Sequence, residues 1–570
     1  MASTATLPKL PLFEALVSQD PNSVVTVHSV SGRTFKYGEL PGDVTRARAK
    51  LQEAAGKDDL AGERIAFLVE NSYDYVVTLL AILASKAIAV PMSPAFPAAE
   101  LQYILNQSEA ILMVSSAKFA AKAAETLKTE LVSNPAYLQL EKLVGGSAHE
   151  SVTLEDAEPG NSGMMLYTSG TTNRPKGVLI PQSALTAQAK ALIEAWRYTP
   201  KDHLLHVLPL HHIHGTVNAI ITPLFAGSSI EFMFPFNADA VWKRFMAPFT
   251  AATTTEGTPK EKITFFTAVP TVYSRLMTTF KTLPDDLKET ARTSVSPEHL
   301  RVCFSGSAAL PTPIKQAWTD LSKGSVLLER YGMTEVGMAL SCSLAIPDRV
   351  DGSVGWPLPS VEARLCELDT NVIINEGEEL DAEGRERSGE IQLRGPTIFK
   401  EYWKNPEATA KEFVEGEDGK GHWFKTGDVA VRRAVPSAGH SGDAWAHGLM
   451  YFIQGRKSAD IIKTGGEKVS ALEVERELLS LPEVAECAVV AVPSGKWGQK
   501  VGAVIVLNQE KTTKWSAMDM RRALRDRLAN YKIPQTLKLV DSIPRNAMGK
   551  INKKNLVKAV YADEFSGDEM

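Results

Sequence analysis

Residues 166–178 read LYTSGTTNRPKGV, a loop of hydroxyls, glycines and one lysine behind a strand-like run at 163–167. The backbone N–H groups and hydroxyls of such a loop can surround phosphate oxygens, and the lysine adds a positive charge. The order differs from a Walker A loop, because Lys176 stands between Pro175 and Gly177 instead of before a Ser or Thr. A flexible turn is the alternative interpretation. The composition of the loop favours phosphate binding.

Short apolar runs alternate with helical patterns on the N-terminal side of this loop. Strands are predicted at Ile65–Val69, Ala87–Pro91 and Ala110–Val114, and helices at Tyr73–Ala84 and Glu100–Gln107. Strands separated by helices predict parallel sheets with crossover helices. We therefore expect an α/β fold whose large N-terminal domain has parallel and mixed sheets with flanking helices.

The sequence pattern changes after Arg456. Helices are predicted beyond it at Ser470–Leu479 and Ser516–Leu528, and strands at Val484–Pro493 and Val501–Leu507. A run of roughly a hundred residues is large enough for a small α+β domain. We predict an N-terminal domain at 1–456 and a small mobile C-terminal domain at 457–570.

The composition limits the classes of function. The chain has 570 residues, of which 44% are apolar and 23% charged, as in a globular protein of more than one domain. Its 62 Lys and Arg against 67 Asp and Glu give no sign of nucleic-acid binding. The most apolar stretch, 75–84, is too short to span a bilayer, and the first thirty residues lack the arginines of a mitochondrial transit peptide. We expect a cytoplasmic enzyme, with a mitochondrial location as the alternative, that is a monomer or a homodimer.

Four further motifs follow the loop in order. They are RYGMTE at 330–335, WFKTGD at 423–428, GRK at 455–457 with GGEKV at 465–469, and PRNAMGK at 544–550. Together with the loop, this series resembles the ordered motifs of the adenylate-forming superfamily, which includes acyl-CoA synthetases, luciferases and the adenylation domains of peptide synthetases. The resemblance covers most of the chain.

The resemblance implies a site for ATP and Mg²⁺. The residues that would bind the β- and γ-phosphates are Thr168, Ser169, Gly170, Thr171, Thr172 and Lys176. Those that would line the AMP pocket are Ser307, Ala308, Tyr331, Gly332 and Met333. Thr334 would contact the α-phosphate, and Glu335 would hold Mg²⁺, a hard cation that suits a carboxylate. Asp428 would accept both ribose hydroxyls, because a carboxylate has two oxygens. Arg456 would contact the ribose or a phosphate. The alternative for the last two is an ordinary surface ion pair.

The same resemblance assigns the chemistry to the C-terminal motif. Lys550 is the implied catalyst of adenylation, since its ammonium can bridge the attacking carboxylate and the α-phosphate. In the family the small domain rotates between two half-reactions, with Lys457 as the hinge residue here. The rotation implies that Gly465 and Gly466 move towards the tunnel for the pantetheine arm of CoA.

The candidates for the acid-binding pocket are His212, His214, Arg275 and Arg330. The histidines lie in the segment 209–215, which matches the acyl-pocket gate of the family. A buried, unpaired arginine is unfavourable in a pocket for an apolar acid. It suits a dicarboxylic acid, because its planar fork can bind the second carboxylate through two hydrogen bonds. The alternatives are a helix-surface ion pair for Arg275 and histidines that only pack near the pocket.

The segments around both arginines, with the ending at 544–550, are similar to malonyl-CoA synthetases. The similarity implies that malonate, ATP and CoA give malonyl-CoA, AMP and pyrophosphate through a malonyl-adenylate. An acyl-CoA or aryl-CoA synthetase for methylmalonate or for a short- or medium-chain acid is the first alternative. A non-catalytic ATP-binding relative is the second, and the intact Lys176, Glu335, Asp428 and Lys550 argue against it.

Overall fold

A computed structural model describes residues 5–146, 148–168, 174–250, 260–465, 467–494, 498–545 and 551–562. Its first elements are β1 (Thr6–Lys9), α1 (Pro11–Val17), β2 (Val24–His28), β3 (Thr34–Lys36), α2 (Leu40–Ala55), β4 (Arg64–Leu68), α3 (Tyr73–Ala84), β5 (Ile88–Pro91), α4 (Ala98–Ser108), β6 (Leu112–Ser116), α5 (Ala120–Leu127), β7 (Ala136–Leu140) and β8 (Thr153–Asp156). The middle of the chain forms β9 (Gly163–Thr168), β10 (Lys176–Pro181), α6 (Gln182–Trp196), β11 (His203–His206), a π-helical segment (His214–Ile221), α7 (Thr222–Ala226), β12 (Ser229–Phe232), α8 (Ala238–Met246), β13 (Phe265–Ala268), α9 (Pro270–Thr282), α10 (Asp285–Ser294), β14 (Val302–Ser305), α11 (Thr312–Leu321), β15 (Leu328–Met333), β16 (Gly337–Ser341) and β17 (Trp356–Pro357).

The remaining elements begin at residue 362. They are β18 (Glu362–Glu367), β19 (Ile373–Ile374), β20 (Gly389–Arg394), β21 (Glu401–Tyr402), α12 (Pro406–Glu412), β22 (Phe413–Glu415), β23 (His422–Arg433), β24 (Met450–Arg456), β25 (Ile461–Thr464), β26 (Glu467–Ser470), α13 (Ala471–Leu479), β27 (Val484–Ser494), β28 (Gly498–Leu507), α14 (Ala517–Leu524), β29 (Thr536–Leu539) and α15 (Lys553–Val560). Short 3-10 turns cover Ala117–Phe119, Ala247–Phe249, Ile346–Asp348 and Asn530–Lys532. Within the described ranges, no helix has the length and apolar character needed to cross a membrane.

The predicted alternation of strands and helices is confirmed, and α3 shows why the pattern was clear. Ser72 caps this helix, because its side chain accepts a hydrogen bond from the backbone N–H of Tyr75. Every residue of α3 is buried. Its side chains share one apolar core with Phe67 of β4, Val25 of β2 and Phe232 of β12. A helix that is covered on all sides has to be apolar all round.

Two large mixed sheets form the N-terminal part. One has the strand order β21-β10-β9-β5-β4-β6-β7, and the other has the order β17-β16-β15-β14-β13-β11-β12-β2-β3. Strands β15, β14, β13, β11, β12 and β2 run parallel, so their carboxyl ends meet at one edge. Ligands of α/β sheets bind beyond this kind of edge. The residues from Arg330 to Glu335, at the end of β15, are therefore placed for a site.

The last two sheets adjoin the predicted domain boundary. One sheet has the order β19-β18-β20-β23-β22, with β24 paired to β23, and the other has the order β26-β25-β28-β27, with β29 paired to β28. Strand β24 ends at Arg456 and β25 begins at Ile461. The boundary at 456/457 stays a prediction. The helix expected to run to Leu528 ends at Leu524 instead, and Ser516 caps it.

Lys553, at the start of α15, forms ion pairs with Asp460 and with Glu475 of α13. Its ammonium lies 2.5 Å from Asp460 Oδ1 and 2.8 Å from Glu475 Oε1, and all three side chains are nearly buried. Replacing Lys553 by methionine leaves two buried carboxylates without their cation. We expect Lys553→Met to lower the free energy of unfolding by about 3–5 kcal/mol in denaturant titrations. The exposed neighbour Lys554 is the matched control, and equal effects of Lys553→Met and Lys554→Met would contradict the role of the buried pair.

Candidate active site

The predicted phosphate loop is the connection of a β-hairpin. Thr168 at the end of β9 pairs with Lys176 at the start of β10, so these residues flank the connection. The predicted phosphate contacts Ser169, Gly170, Thr171 and Thr172 lie outside the described residues. The Lys176 ammonium lies 4.4 Å from the centre of the Tyr402 ring. A cleft of about 350 Å³ opens beside them and is lined by Tyr103, Gln107, Arg174, Pro175, Lys176, Tyr402, Trp403 and Asn405.

Glu335 lies close to this cleft, in the turn between β15 and β16. Its side chain is buried, and the Tyr402 hydroxyl donates to Oε1 at 2.9 Å. Burial raises the pKa of the Glu335 carboxyl above its ordinary value, although the positive charges of Arg456 and Lys176 oppose the shift. A carboxylate offers about four acceptor positions, so this one hydrogen bond leaves capacity for a hard cation. The adjacent Thr334 is half-buried.

Three predicted nucleotide residues meet at Asp428. Arg456 lies directly opposite Asp428 across the β23–β24 pair, with 2.9 Å between Nε and Oδ1. The Tyr331 hydroxyl donates to Oδ2 at 2.6 Å. The negative charge of Asp428 raises the pKa of Arg456, so the guanidinium stays protonated. Both oxygens of Asp428 therefore have protein partners, and a ribose at this carboxylate has to share or replace them.

The other predicted AMP residues surround the ends of β14 and β15. Ser307 and Ala308 are exposed just after β14. Gly332 and Met333 are half-buried at the end of β15, where a register shift follows Tyr331. Position 332 requires glycine, because a Cβ there would overlap the backbone carbonyl of Gly337. The structure thus places these residues on the same strand edge as Glu335.

Arg330 is a buried cation on β15. It is 6% exposed, and burial lowers the pKa of its guanidinium to about 9. Among the described residues, no carboxylate pairs with it. Its Nη2 contacts His214 Nδ1, and its Nε has no hydrogen-bond partner within the same ranges. Gly306 leaves the room for it, because a Cβ there would overlap the guanidinium. Of the two candidate arginines, Arg330 is therefore buried, and its place in an acid pocket stays a prediction.

The two predicted pocket histidines differ in their surroundings. His214 is buried between Arg330 and Thr267, and both contact its ring nitrogens. His212 is half-buried, with its ring centre 4.1 Å from that of His211. Burial lowers the pKa of His214 well below the ordinary histidine value, and the neighbouring Arg330 lowers it further. His214 is therefore neutral near pH 7.

The structure does not group Arg275 with these residues. Its side chain is exposed on α9, and the guanidinium lies 4.9 Å from the centre of the Phe236 ring. Val272, Tyr273 and Leu276 form the buried face of this helix. The expectation of a buried arginine is therefore not met at position 275. Among the described residues Arg275 forms no ion pair, and its observed contact is with an aromatic ring.

The predicted hinge residue, Lys457, directly follows β24, and the predicted CoA residue Gly465 follows β25. The backbone N–H of Lys457 donates to the Gly427 carbonyl at 2.9 Å, and its ammonium lies 3.5 Å from Glu390 Oε2. Gly465 has a φ of +57° in the turn between β25 and β26, a conformation that favours glycine. The predicted tunnel residue Gly466 and the predicted catalyst Lys550 lie outside the described residues.

The sequence analysis missed two residues of the site, Tyr402 and Thr267. Tyr402 donates to Glu335 and covers Lys176, but it belongs to none of the motifs and only the fold brings it there. Thr267 contacts His214 from within β13, which otherwise reads Phe-Phe-Ala. A polar residue inside a buried apolar strand was a usable signal for Thr267, because buried hydroxyls need partners.

Comparison with known proteins finds relatives along nearly the whole chain. The family described as "AMP-binding enzyme" matches residues 13–403, and "AMP-binding enzyme C-terminal domain" matches residues 473–550. A "CoA ligase" of Gibberella moniliformis is 57% identical over 98% of this chain and 96% of its own. The "Malonate--CoA ligase ACSF3, mitochondrial" of Homo sapiens is 39% identical over 96% of this chain and 92% of its own.

Solved structures show the same fold. The ATP-bound crystal structure of MatB from Rhodopseudomonas palustris is 30% identical, with a TM-score of 0.77, and the match covers 98% of this chain and 99% of that one. The large N-terminal sheet domain and the smaller C-terminal domain match those of adenylate-forming enzymes. The chain belongs to the AMP-binding enzymes of the adenylate-forming superfamily.

Proposed function

We propose that the protein is an ATP-dependent malonate–CoA ligase, which makes malonyl-CoA, AMP and pyrophosphate from malonate, ATP and CoA. Relatives named malonate–CoA ligase cover nearly the whole chain, so the support does not rest on a single domain. The first half-reaction joins a malonate carboxylate to the α-phosphate, and the second transfers the malonyl group from AMP to the thiol of CoA.

One observation carries the choice of malonate, the buried Arg330 guanidinium. A buried charge without a counter-ion is unfavourable, and a bound carboxylate supplies the missing partner. The Nε of Arg330 has no hydrogen-bond partner among the described residues. Because the guanidinium is a planar fork, it can donate two parallel hydrogen bonds to that carboxylate. Malonate has a second carboxylate for the reaction itself. A monocarboxylic acid leaves the guanidinium uncompensated and is therefore disfavoured.

The remaining residues then take the roles that the motifs imply. Lys176 and the loop beside it bind the β- and γ-phosphates, and Thr334 contacts the α-phosphate. Glu335 holds Mg²⁺, whose charge stabilises the phosphate oxygens as pyrophosphate leaves. Asp428 and Arg456 bind the ribose side, where Tyr331 packs on adenine. Lys550 bridges the attacking carboxylate and the α-phosphate.

The two-domain arrangement belongs to the same proposal. Domains at 1–456 and 457–570 rotate about Lys457 between the half-reactions, and Gly465 and Gly466 then line the CoA tunnel. Only glycine lets a backbone pass close to the thin pantetheine arm. We propose a cytoplasmic monomer or homodimer, with the mitochondrial location named for the human relative as the alternative.

The test is the dependence of AMP release on ATP, CoA and the acid. Malonate is expected to support turnover, methylmalonate to support it to the extent that the methyl group fits, and acetate and a long-chain fatty acid to be at least about 100-fold slower in kcat/KM. A Lys550→Ala variant controls for contaminating ligases and is expected to release no AMP. Turnover with the monocarboxylic acids alone would overturn the malonate assignment.

A further inference from the structure

A chain of buried, uncharged polar groups ends on Arg330. The Tyr198 hydroxyl donates to Asn218 Oδ1 at 2.7 Å, and Asn218 Nδ2 donates to Thr267 Oγ1 at 3.4 Å. Thr267 Oγ1 contacts His214 Nε2, and His214 Nδ1 contacts Arg330 Nη2. All five side chains are buried. The chain connects the end of α6, the π-helical segment, β13 and β15, so four separate segments hold one guanidinium in place.

The hydrogen bonds determine the tautomer of His214. Arginine can only donate, so His214 Nδ1 has to accept and carries no proton. The neutral ring then has its proton on Nε2, which donates to Thr267 Oγ1. The charged and titratable groups that lower its pKa are Arg330, His206 and His212, and burial acts in the same direction. His214 thus remains a neutral acceptor that points at the guanidinium.

Among the described residues, most other buried cations have acidic partners, and Arg349, which has none, donates to the backbone carbonyls of Val326 and Leu344. Arg244 pairs with Glu231 at 2.7 Å, and Lys315 pairs with Glu329, the residue before Arg330, at 2.8 Å. A carboxylate beside Arg330 would hold the guanidinium equally well, but it would also cancel the charge. A neutral histidine fixes the position of the guanidinium and leaves its charge for a ligand.

We propose that His214, backed by Thr267, is a positioning residue that orients the Arg330 guanidinium for the second carboxylate of a dicarboxylic substrate. The proposal rests on the proposed function. It replaces direct substrate contact as the role of His214, since both ring nitrogens are engaged by protein groups. The acid specificity therefore depends on a residue that does not touch the acid.

The test compares variants at position 214 with malonate as the probe. His214→Ala removes the acceptor and is expected to raise the KM for malonate by about 10- to 100-fold, the usual effect of losing a hydrogen bond to a charged group. The KM values for ATP and CoA are expected to stay within about twofold. His214→Asn keeps a neutral acceptor near the place of Nδ1, so it is expected to restore most of the malonate affinity.

Two further variants separate positioning from a structural role. His214→Asp supplies an internal carboxylate that competes with malonate, so the preference for malonate over acetate is expected to fall further than in His214→Ala. Thr267→Val lets the ring turn and is expected to raise the malonate KM by about 3- to 10-fold. His440→Ala, at an exposed histidine, is the control and is expected to behave as the wild type.

The outcomes are distinguishable. An unchanged malonate KM in His214→Ala, or an equal rise of the malonate and ATP KM values, would overturn the positioning role. If His214→Ala does not fold, a malonate KM in Thr267→Val that matches the wild type would overturn it instead. Wild-type protein that does not use malonate contradicts the proposed function before any variant is compared.

Discussion

Replacing Arg330 by methionine is expected to lower kcat/KM for malonate by about 10²- to 10³-fold, equivalent to about 3–4 kcal/mol. Methionine fills much of the same volume but lacks the positive charge and the donors that we propose bind the second carboxylate. Steady-state AMP release at varied malonate is the measurement. The KM for ATP is expected to change little, because Arg330 is not among the predicted ATP contacts. Those of its motif begin with the next residue, Tyr331.

The same substitution is expected to leave the free energy of unfolding unchanged or higher. In the part of the chain that the structure describes, Arg330 has no acidic partner, so an apolar side chain relieves a desolvation penalty. Denaturant titration in the absence of malonate checks this. A loss of activity together with a large loss of stability would show that Arg330 supports the fold and would contradict a substrate role.

Arg275 is the other arginine that the sequence analysis proposed for the acid pocket, so Arg275→Met is the matched comparison for Arg330→Met. Its guanidinium is exposed over the Phe236 ring, so we expect the malonate KM to change by less than about threefold. An effect as large as that of Arg330→Met would return Arg275 to the pocket, as the sequence pattern suggested.

The comparison of these two arginines shows what sequence reasoning can reach. Motif order predicted the fold, because each motif is local and its spacing is visible in the chain, and the residues that it assigns to ATP stay a prediction. The pattern of α9 also held usable information, since Val272, Tyr273 and Leu276 leave position 275 outside the buried face. The surroundings of Arg330 depend on β13 and on the segment that begins at His214, which lie 50 to 120 residues away in the chain. No local pattern indicates whether a charge at such a position is paired with an acid.

Tyr402 is a second residue whose contacts with the predicted site could not be read from a local sequence pattern. It reaches Glu335 and Lys176 because the short strand β21 pairs with β10 at the edge of a sheet. Glu335 itself was predicted from its motif, whereas its burial and its raised pKa arise from tertiary packing. The sequence therefore names the residue, and the structure shows the environment that sets its chemistry.

Glu335→Gln is expected to lower kcat for adenylation by about 10²- to 10³-fold, because the amide lacks the negative charge that we propose holds Mg²⁺ against the phosphates. The apparent Mg²⁺ requirement is expected to rise in the same variant. Burial raises the pKa of this carboxyl before Mg²⁺ binds, so kcat/KM of the wild-type enzyme at limiting Mg²⁺ is expected to fall on the acid side at a pH above the ordinary glutamate value of about 4.3, and the variant is expected to lack this acid limb.

The pH dependence of the free energy of unfolding tests the raised pKa of the Glu335 carboxyl independently of activity. A folded-state pKa above the unfolded value means that the protonated form stabilises the fold, and this contribution is lost as the pH rises through the folded-state pKa. At neutral pH, without Mg²⁺, Glu335→Gln is therefore expected to unfold at a higher denaturant concentration than the wild type. The difference is expected to shrink as the pH falls towards the ordinary glutamate value. A variant that is less stable at neutral pH, or that keeps the Mg²⁺ requirement of the wild type, would show that the Glu335 carboxylate serves the fold through Tyr402 and does not hold the metal.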